Sequence, residues 1–234
     1  MHPAEAELRA FPPLDALPPE TRARLATEAR PRLCAPGEVI LDFADRSREI
    51  YLIQEGGARV AVRTAAGREL ILADLGPGDR FGEIAAIDGE PRSACVTALY
   101  RTRLLVLPQP AFMAEVLAAP EASLALMRAL TARLREKDER LLEQIALPVR
   151  LRLAAELMRL SRTRGAGGGR SISPPPPRHE LAARIGTQRE VVSRELAELI
   201  RAGWVEADRR AIRLLRPDAI AEAIRAGFAG TRDD

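Results

Sequence analysis

Residues 81–94 read FGEIAAIDGEPRSA, with Glu83 directly after Gly82 and an Arg92-Ser93 pair nine residues further on. A singly charged phosphate needs donors from several directions, and this stretch holds a planar guanidinium fork at Arg92 and a hydroxyl at Ser93. Backbone amides after Gly82 add to them if Glu83-Ile84-Ala85 opens a short helix, and a glycine lets the backbone approach a ligand closely. A carboxylate repels phosphate, so Glu83 is better suited to accepting from a sugar hydroxyl and to holding Arg92 in place. The set points to a sugar phosphate and not to bare phosphate. The alternative is a loop that binds nothing.

A second stretch with chemistry lies near the C-terminus. HELAARIGTQREVVSRELAELIRAG divides at Gly186-Thr187. Leu181 and Ile185 give a first helix its apolar face, Gly186 supplies the turn, and Val192 and Leu196 face inward from a second helix. Thr187 and Glu190 have the spacing of a capping box at the start of that helix, and Gly203 ends it. Gln188, Arg189, Glu190, Ser193 and Arg194 then face outward. In a DNA major groove an arginine donates twice to guanine and a glutamate accepts from cytosine, so Arg189, Glu190 and Arg194 favour G and C. The alternative is a solvated helix end with surface ion pairs. The hairpin in VEADRRAIRLL favours the first reading, because strands after a helix-turn-helix form a wing whose tip residues Arg209 and Arg210 can meet phosphate.

The elements that must position these residues are legible in outline. Between 36 and 107, the runs EVILDFA, EIYLIQ, RVAVRT, LILADL and RTRLLVL are separated by glycine-containing turns, which predicts a compact antiparallel barrel or sandwich. LPPETRARLATEA before it reads as a short helix opened by proline. After Pro120 a long helical pattern begins, with Met127, Leu130, Leu134 and Leu141 at three-and-four spacing and Lys137 between the last two. Such a stripe suits pairing with a second copy of the same helix, or packing on the helix's own barrel. Pro148 interrupts it. VRLRLAAELMRLSRT follows as a helix whose arginines read as a solvated face, then a loop, GAGGGRSISPPPP, leads to the helix-turn-helix, its hairpin and a last helix near Pro217.

Composition narrows the classes. With 234 residues, 47% hydrophobic and 29% charged, and a net charge of +3, the chain reads as globular, and nucleic-acid binding is permitted but not required. No apolar run approaches the roughly 20 residues that span a bilayer, and the N-terminus lacks a secretory pattern, so a cytoplasmic protein without membrane contact is expected. Cys34 and Cys95, read as buried thiols, and His2 and His179 are isolated, which leaves no ligand set for a metal. No paired carboxylates or nucleophile-base pair accompany Glu83, so an enzyme is not expected.

On these residues the chain, from about 14 to 217, resembles the cyclic AMP receptor protein branch of the Crp-Fnr transcription regulators. FGEI followed by RSA resembles that family's phosphate-binding cassette, and Gln188-Arg189-Glu190 with Arg194 resembles its recognition helix. The resemblance implies an α+β chain: a cyclic-nucleotide-binding β-roll with an N-terminal helix over 1–118, a dimerisation helix over 119–147 and a winged helix-turn-helix over 148–234. It implies that Glu83 binds the ribose 2′-hydroxyl, that Arg92 and Ser93 bind the cyclic phosphate, and that Gly82 and Ile84 line the cassette. A homodimer would read a palindrome of TGTGA-like half-sites in double-stranded DNA, with RNA polymerase as a further partner. The cysteine cluster and haem ligands of the family's oxygen and carbon monoxide sensors are missing, so the implied effector is a cyclic nucleotide without metal. A ligand-independent regulator of the same fold is the alternative.

One departure bears on the base. Where the cyclic AMP receptor places a Thr-Ser pair against adenine, this chain has Lys137 and Asp138, and Lys137 is its one lysine. A carboxylate accepts both adjacent donors of guanine, and an ammonium suits guanine's O6 and N7. Cyclic GMP therefore stands beside cyclic AMP as the expected ligand. The alternative is an ion pair in which Lys137 meets Asp138 or Glu139 of a partner helix.

Overall fold

The computed structural model describes residues 3–164 and 169–229, and His2 lies outside them. The chain divides into two compact units, Met1–Leu134 and Arg135–Asp234.

The first unit opens with helices α1 (Pro3–Leu8) and α2 (Pro19–Glu28), followed by strands β1 (Arg30–Cys34), β2 (Val39–Leu41), β3 (Ile50–Glu55), β4 (Ala58–Arg63), β5 (Glu69–Leu75) and β6 (Arg80–Phe81). Helix α3 (Glu83–Asp88), strands β7 (Cys95–Ala98) and β8 (Thr102–Leu107) and helix α4 (Gln109–Ala118) complete it, with the first part of the long helix α5 (Pro120–Ala146). The strands form two four-stranded antiparallel sheets, ordered β1-β8-β3-β6 and β2-β7-β4-β5. Both faces of the first sheet are covered, which explains why IYLI and LLVL are continuously apolar. Ile50 and Leu52 of β3 join Leu8, Phe11, Phe112 and Leu126 in a helix-covered cluster. Tyr51 and Ile53, on the other face, join Phe81, Val96 and Leu104 in a cluster drawn from both sheets.

The second unit holds the rest of α5, then α6 (Val149–Leu160), β9 (Arg162–Arg164), β10 (Gly169–Ile172), α7 (Arg178–Ile185), α8 (Arg189–Arg201), β11 (Val205–Ala207), β12 (Ile212–Leu214) and α9 (Pro217–Ala229). A sheet ordered β11-β12-β10-β9 packs beside the helices, and Leu153, Leu181, Val192, Leu196 and Ile212 make the core.

Several expectations are corrected. The sheets begin before residue 36, because β1 contributes RPRLC as an edge strand, where a proline needs no ladder partner. β6 and β7 also carry no strong alternation in the sequence. The helix read through Thr163 ends at Leu160, and β9 follows it at once, paired with β10 from within the stretch read as a loop, of which 165–168 lie outside the described residues. The arginines of α6 are not a purely solvated face: Arg159 donates to both oxygens of Glu143 at 2.7 and 2.8 Å and to Glu156 at 3.0 Å, since carboxylates from α5 and α6 converge on it. Cys34 is buried, but Cys95 is only half-buried. Among the described residues no single helix is long and apolar enough to cross a membrane, and no cluster of three metal-ligand side chains occurs.

Candidate functional site

Gly82 adopts φ +89° at the start of α3, and a Cβ there would lie 2.6 Å from the Glu49 carbonyl and 2.9 Å from Arg92 Nη1. Only glycine fits both the backbone and the space. Its carbonyl accepts from Arg92 Nη1 at 2.7 Å, Arg92 Nη2 donates to the Glu49 carbonyl at 2.9 Å, and Nε donates to Ser47 Oγ at 3.1 Å. The guanidinium sits 6.0 Å from the centre of the Tyr51 ring, which stacks on Phe81. Arg92 is 3% exposed, and burial pushes its pKa below the ordinary arginine value. Three of its five N–H groups are thus spent on the loop around it, and one on each terminal nitrogen is left to donate.

Glu83, 1% exposed, does not hold Arg92 as the sequence suggested. Backbone carbonyls and Ser47 occupy Arg92, and the Glu83 carboxylate instead accepts on Oε1 from Arg133 of α5. Arg133 also donates from Nη2 to the Arg80 carbonyl at 2.8 Å. Glu83 Oε2 is buried and has no hydrogen-bond partner. Ile84 and Ser93 are exposed beside these groups. Lys137 and Asp138 are exposed on the part of α5 that belongs to the second unit.

Sequence reasoning missed Arg133, Ser47 and Glu49. Arg133 stands one helical turn before Lys137, and that spacing on the same helix face was the available signal. Ser47 and Glu49 lie in a loop without periodicity, and nothing local marks them.

In the second unit, α7 and α8 meet at Gly186, which adopts φ +66° and caps α7. Leu181, Ile185, Val192 and Leu196 are buried as expected. The capping box is corrected: α8 starts at Arg189 with Gln188 as its cap and no side-chain capping bond. The start falls one residue later than a Thr187 cap requires, Thr187 N is spent on the Ala182 carbonyl at 3.0 Å, and Glu190 pairs with Arg189 Nε at 2.7 Å. That bond holds the Glu190 carboxyl below the usual carboxylate range. Gln188, Arg189, Glu190, Ser193 and Arg194 are all exposed along the first turns of α8. The β11–β12 turn is fastened by Asp208, whose Oδ1 accepts from the amides of Arg210 and Ala211 at 2.6 and 2.8 Å, leaving Arg209 and Arg210 exposed at the tip.

Known proteins share both halves. Residues 31–118 match the family described as Cyclic nucleotide-binding domain, and residues 151–223 match the Crp-like helix-turn-helix domain. The Cyclic AMP receptor protein of Thermus thermophilus is 35% identical over 198 residues, covering 85% of this chain and 89% of that protein. A CRP-like cAMP-activated global transcriptional regulator of Mycobacterium tuberculosis is 27% identical, covering 88% and 93%. A CRP-family transcriptional regulator of Thermus thermophilus superposes with a TM-score of 0.66 at 26% identity, covering 83% of this chain and 96% of the other.

Proposed function

This chain belongs to the Crp-Fnr family of transcription regulators, and from that premise we propose that its homodimer binds a cyclic nucleotide and in response binds a palindromic DNA site. The observation that carries the proposal is that Arg92 and Glu83, of opposite charge and each with its own partners, are both buried at one cassette, with donors left on Arg92 and an acceptor left on Glu83. Arg92 and Ser93 take the cyclic phosphate, and Glu83 Oε2 takes the ribose 2′-hydroxyl, the one free hydroxyl on the sugar of a 3′,5′-cyclic nucleotide and a match for an unspent buried carboxylate oxygen. Gly82 and Ile84 line the site.

Dimerisation rests on α5. Met127, Leu134 and Leu141 are 56%, 61% and 58% exposed, whereas Leu130 packs on the core of the first unit with Ala122 and Leu126. The helix thus divides its apolar residues between its own unit and a face that a second copy covers. On that face Lys137 and Asp138 meet the base, so cyclic GMP is a candidate beside cyclic AMP. The dimer places two α8 helices in successive major grooves, where Gln188, Arg189, Glu190, Ser193 and Arg194 read TGTGA-like half-sites and the wing arginines meet phosphate. RNA polymerase is the partner such a regulator addresses, and regulation of this kind takes place in the cytoplasm.

Calorimetric titration of protein sedimenting as two chains tests this reading, with cyclic AMP and cyclic GMP run in parallel. One nucleotide per subunit is expected, and Lys137→Thr with Asp138→Ser is expected to shift preference from guanine toward adenine. An unchanged preference removes base reading from the pair, and heat from neither ligand removes the pocket.

A further inference from the structure

The loop of residues 42–49, between β2 and β3, grips Arg92 by its backbone and by its guanidinium. Ala44, at φ +63°, is the one non-glycine residue with a positive φ among the described residues, and an alanine there is strained. Two bonds to Arg92 hold it: the Ala44 amide donates to the Arg92 carbonyl at 2.9 Å, and the Arg92 amide donates to the Asp45 carbonyl at 2.8 Å. At the guanidinium the loop supplies the Glu49 carbonyl to Nη2 and Ser47 Oγ to Nε. The Glu49 carboxylate stands 3.8 Å from Nη2, beyond hydrogen-bond reach. An arginine Nε–H can only donate, so the Ser47 hydroxyl must accept from it and direct its own proton elsewhere. Asp45 Oδ2 accepts that O–H at 3.0 Å, and Oδ1 accepts from the Ser47 amide at 3.1 Å. The amide and then the hydroxyl of Ser47 hold the Asp45 carboxyl below the usual carboxylate range, which keeps both oxygens as acceptors.

We propose that Asp45 is a positioning residue: through the Ser47 hydroxyl it fixes the Arg92 fork, whose unspent N–H groups on Nη1 and Nη2 stay free for the cyclic phosphate. The inference rests on the proposed function, in which Arg92 takes that phosphate. Without the Asp45 carboxylate the hydroxyl is free to turn its proton toward Nε–H, where donor meets donor and the contact is lost. A fork freed at Nε has to be ordered again when phosphate arrives, and that ordering costs affinity. Asparagine cannot replace Asp45, because its one acceptor oxygen cannot serve both the amide and the hydroxyl of Ser47.

A double-mutant cycle on the full chain reads the relay, by calorimetric titration with whichever of cyclic AMP and cyclic GMP binds more tightly. Ser47→Ala is expected to weaken binding about tenfold and Asp45→Asn about fivefold, as befits hydrogen bonds that serve a charged group. The double variant is expected to bind within about twofold of Ser47→Ala, because without the hydroxyl Asp45 has no route to Arg92. Ser47→Thr, which keeps the hydroxyl, is expected to stay within about threefold of wild type. A role in the loop backbone alone would behave differently, since the amide of residue 47 still donates to residue 45 after Ser47→Ala. Losses that multiply in the double variant, or unchanged affinity in Asp45→Asn, would therefore overturn the relay while leaving Arg92 in the site. If the wild-type protein binds neither nucleotide, or if Arg92→Gln binds as tightly as wild type, the reading of Arg92 fails and takes this role with it.

Discussion

Arg92→Gln is expected to reduce cyclic-nucleotide affinity by about 30-fold or more, because truncating a buried, hydrogen-bonded charge costs roughly 2–5 kcal/mol. Arg92 is nearly fully buried, and its guanidinium is aimed by three acceptors from two parts of the chain: the Gly82 carbonyl, and the Glu49 carbonyl with Ser47 Oγ. Gln has at most two side-chain N–H groups and no charge, so it can neither satisfy that cradle nor meet a phosphate. Arg92→Lys keeps the charge but loses the planar fork, and it should also bind poorly. Calorimetric titration checks both variants. Unchanged affinity in Arg92→Gln would remove Arg92 from the site.

Glu156→Ala is the change expected to act most strongly on the DNA-binding unit. Glu156 is 1% exposed and accepts from Arg159 at 3.0 Å, with Arg184 Nη1 at 3.5 Å. Each of these arginines has a second carboxylate, Glu143 for Arg159 and Glu180 for Arg184, so the network joins α5, α6 and α7. Removing its central carboxylate leaves the buried Arg184 guanidinium short of counter-charge, which costs about 3 kcal/mol. In a unit of this size each kcal/mol moves the midpoint by about 4–8 °C, so a fall of roughly 12–24 °C is expected in a calorimetric scan of the whole chain. A fall below about 3 °C would show that the remaining pairs suffice and that the network adds little. The exposed pair Arg189–Glu190 supplies the contrast, since surface pairs of that kind contribute little stability.

The contrast between what local patterns revealed and what they hid follows sequence distance. Gly82, Glu83, Arg92 and Ser93 lie within one short segment, and their residue types are unusual enough together to suggest a sugar phosphate. The helix-turn-helix was legible for the same reason, through Leu181, Ile185, Gly186, Val192 and Leu196. What stayed hidden depends on long-range packing. Arg133 is 50 residues from Glu83, and Ser47 is 45 from Arg92, so no window of sequence holds both partners. β1 was concealed by Pro31 and by its exposure at a sheet edge. The Thr187–Glu190 spacing matched a capping box, but the helix starts one residue late because the Thr187 amide is already closing the end of α7.

Fluorescence anisotropy on a labelled duplex carrying two TGTGA-like half-sites, measured with and without nucleotide at fixed salt, tests the central claim most directly. Nucleotide is expected to tighten binding by about 5- to 150-fold, the range of ordinary allosteric coupling. Equal affinity in its presence and absence would contradict the account and leave a DNA-binding regulator that needs no ligand.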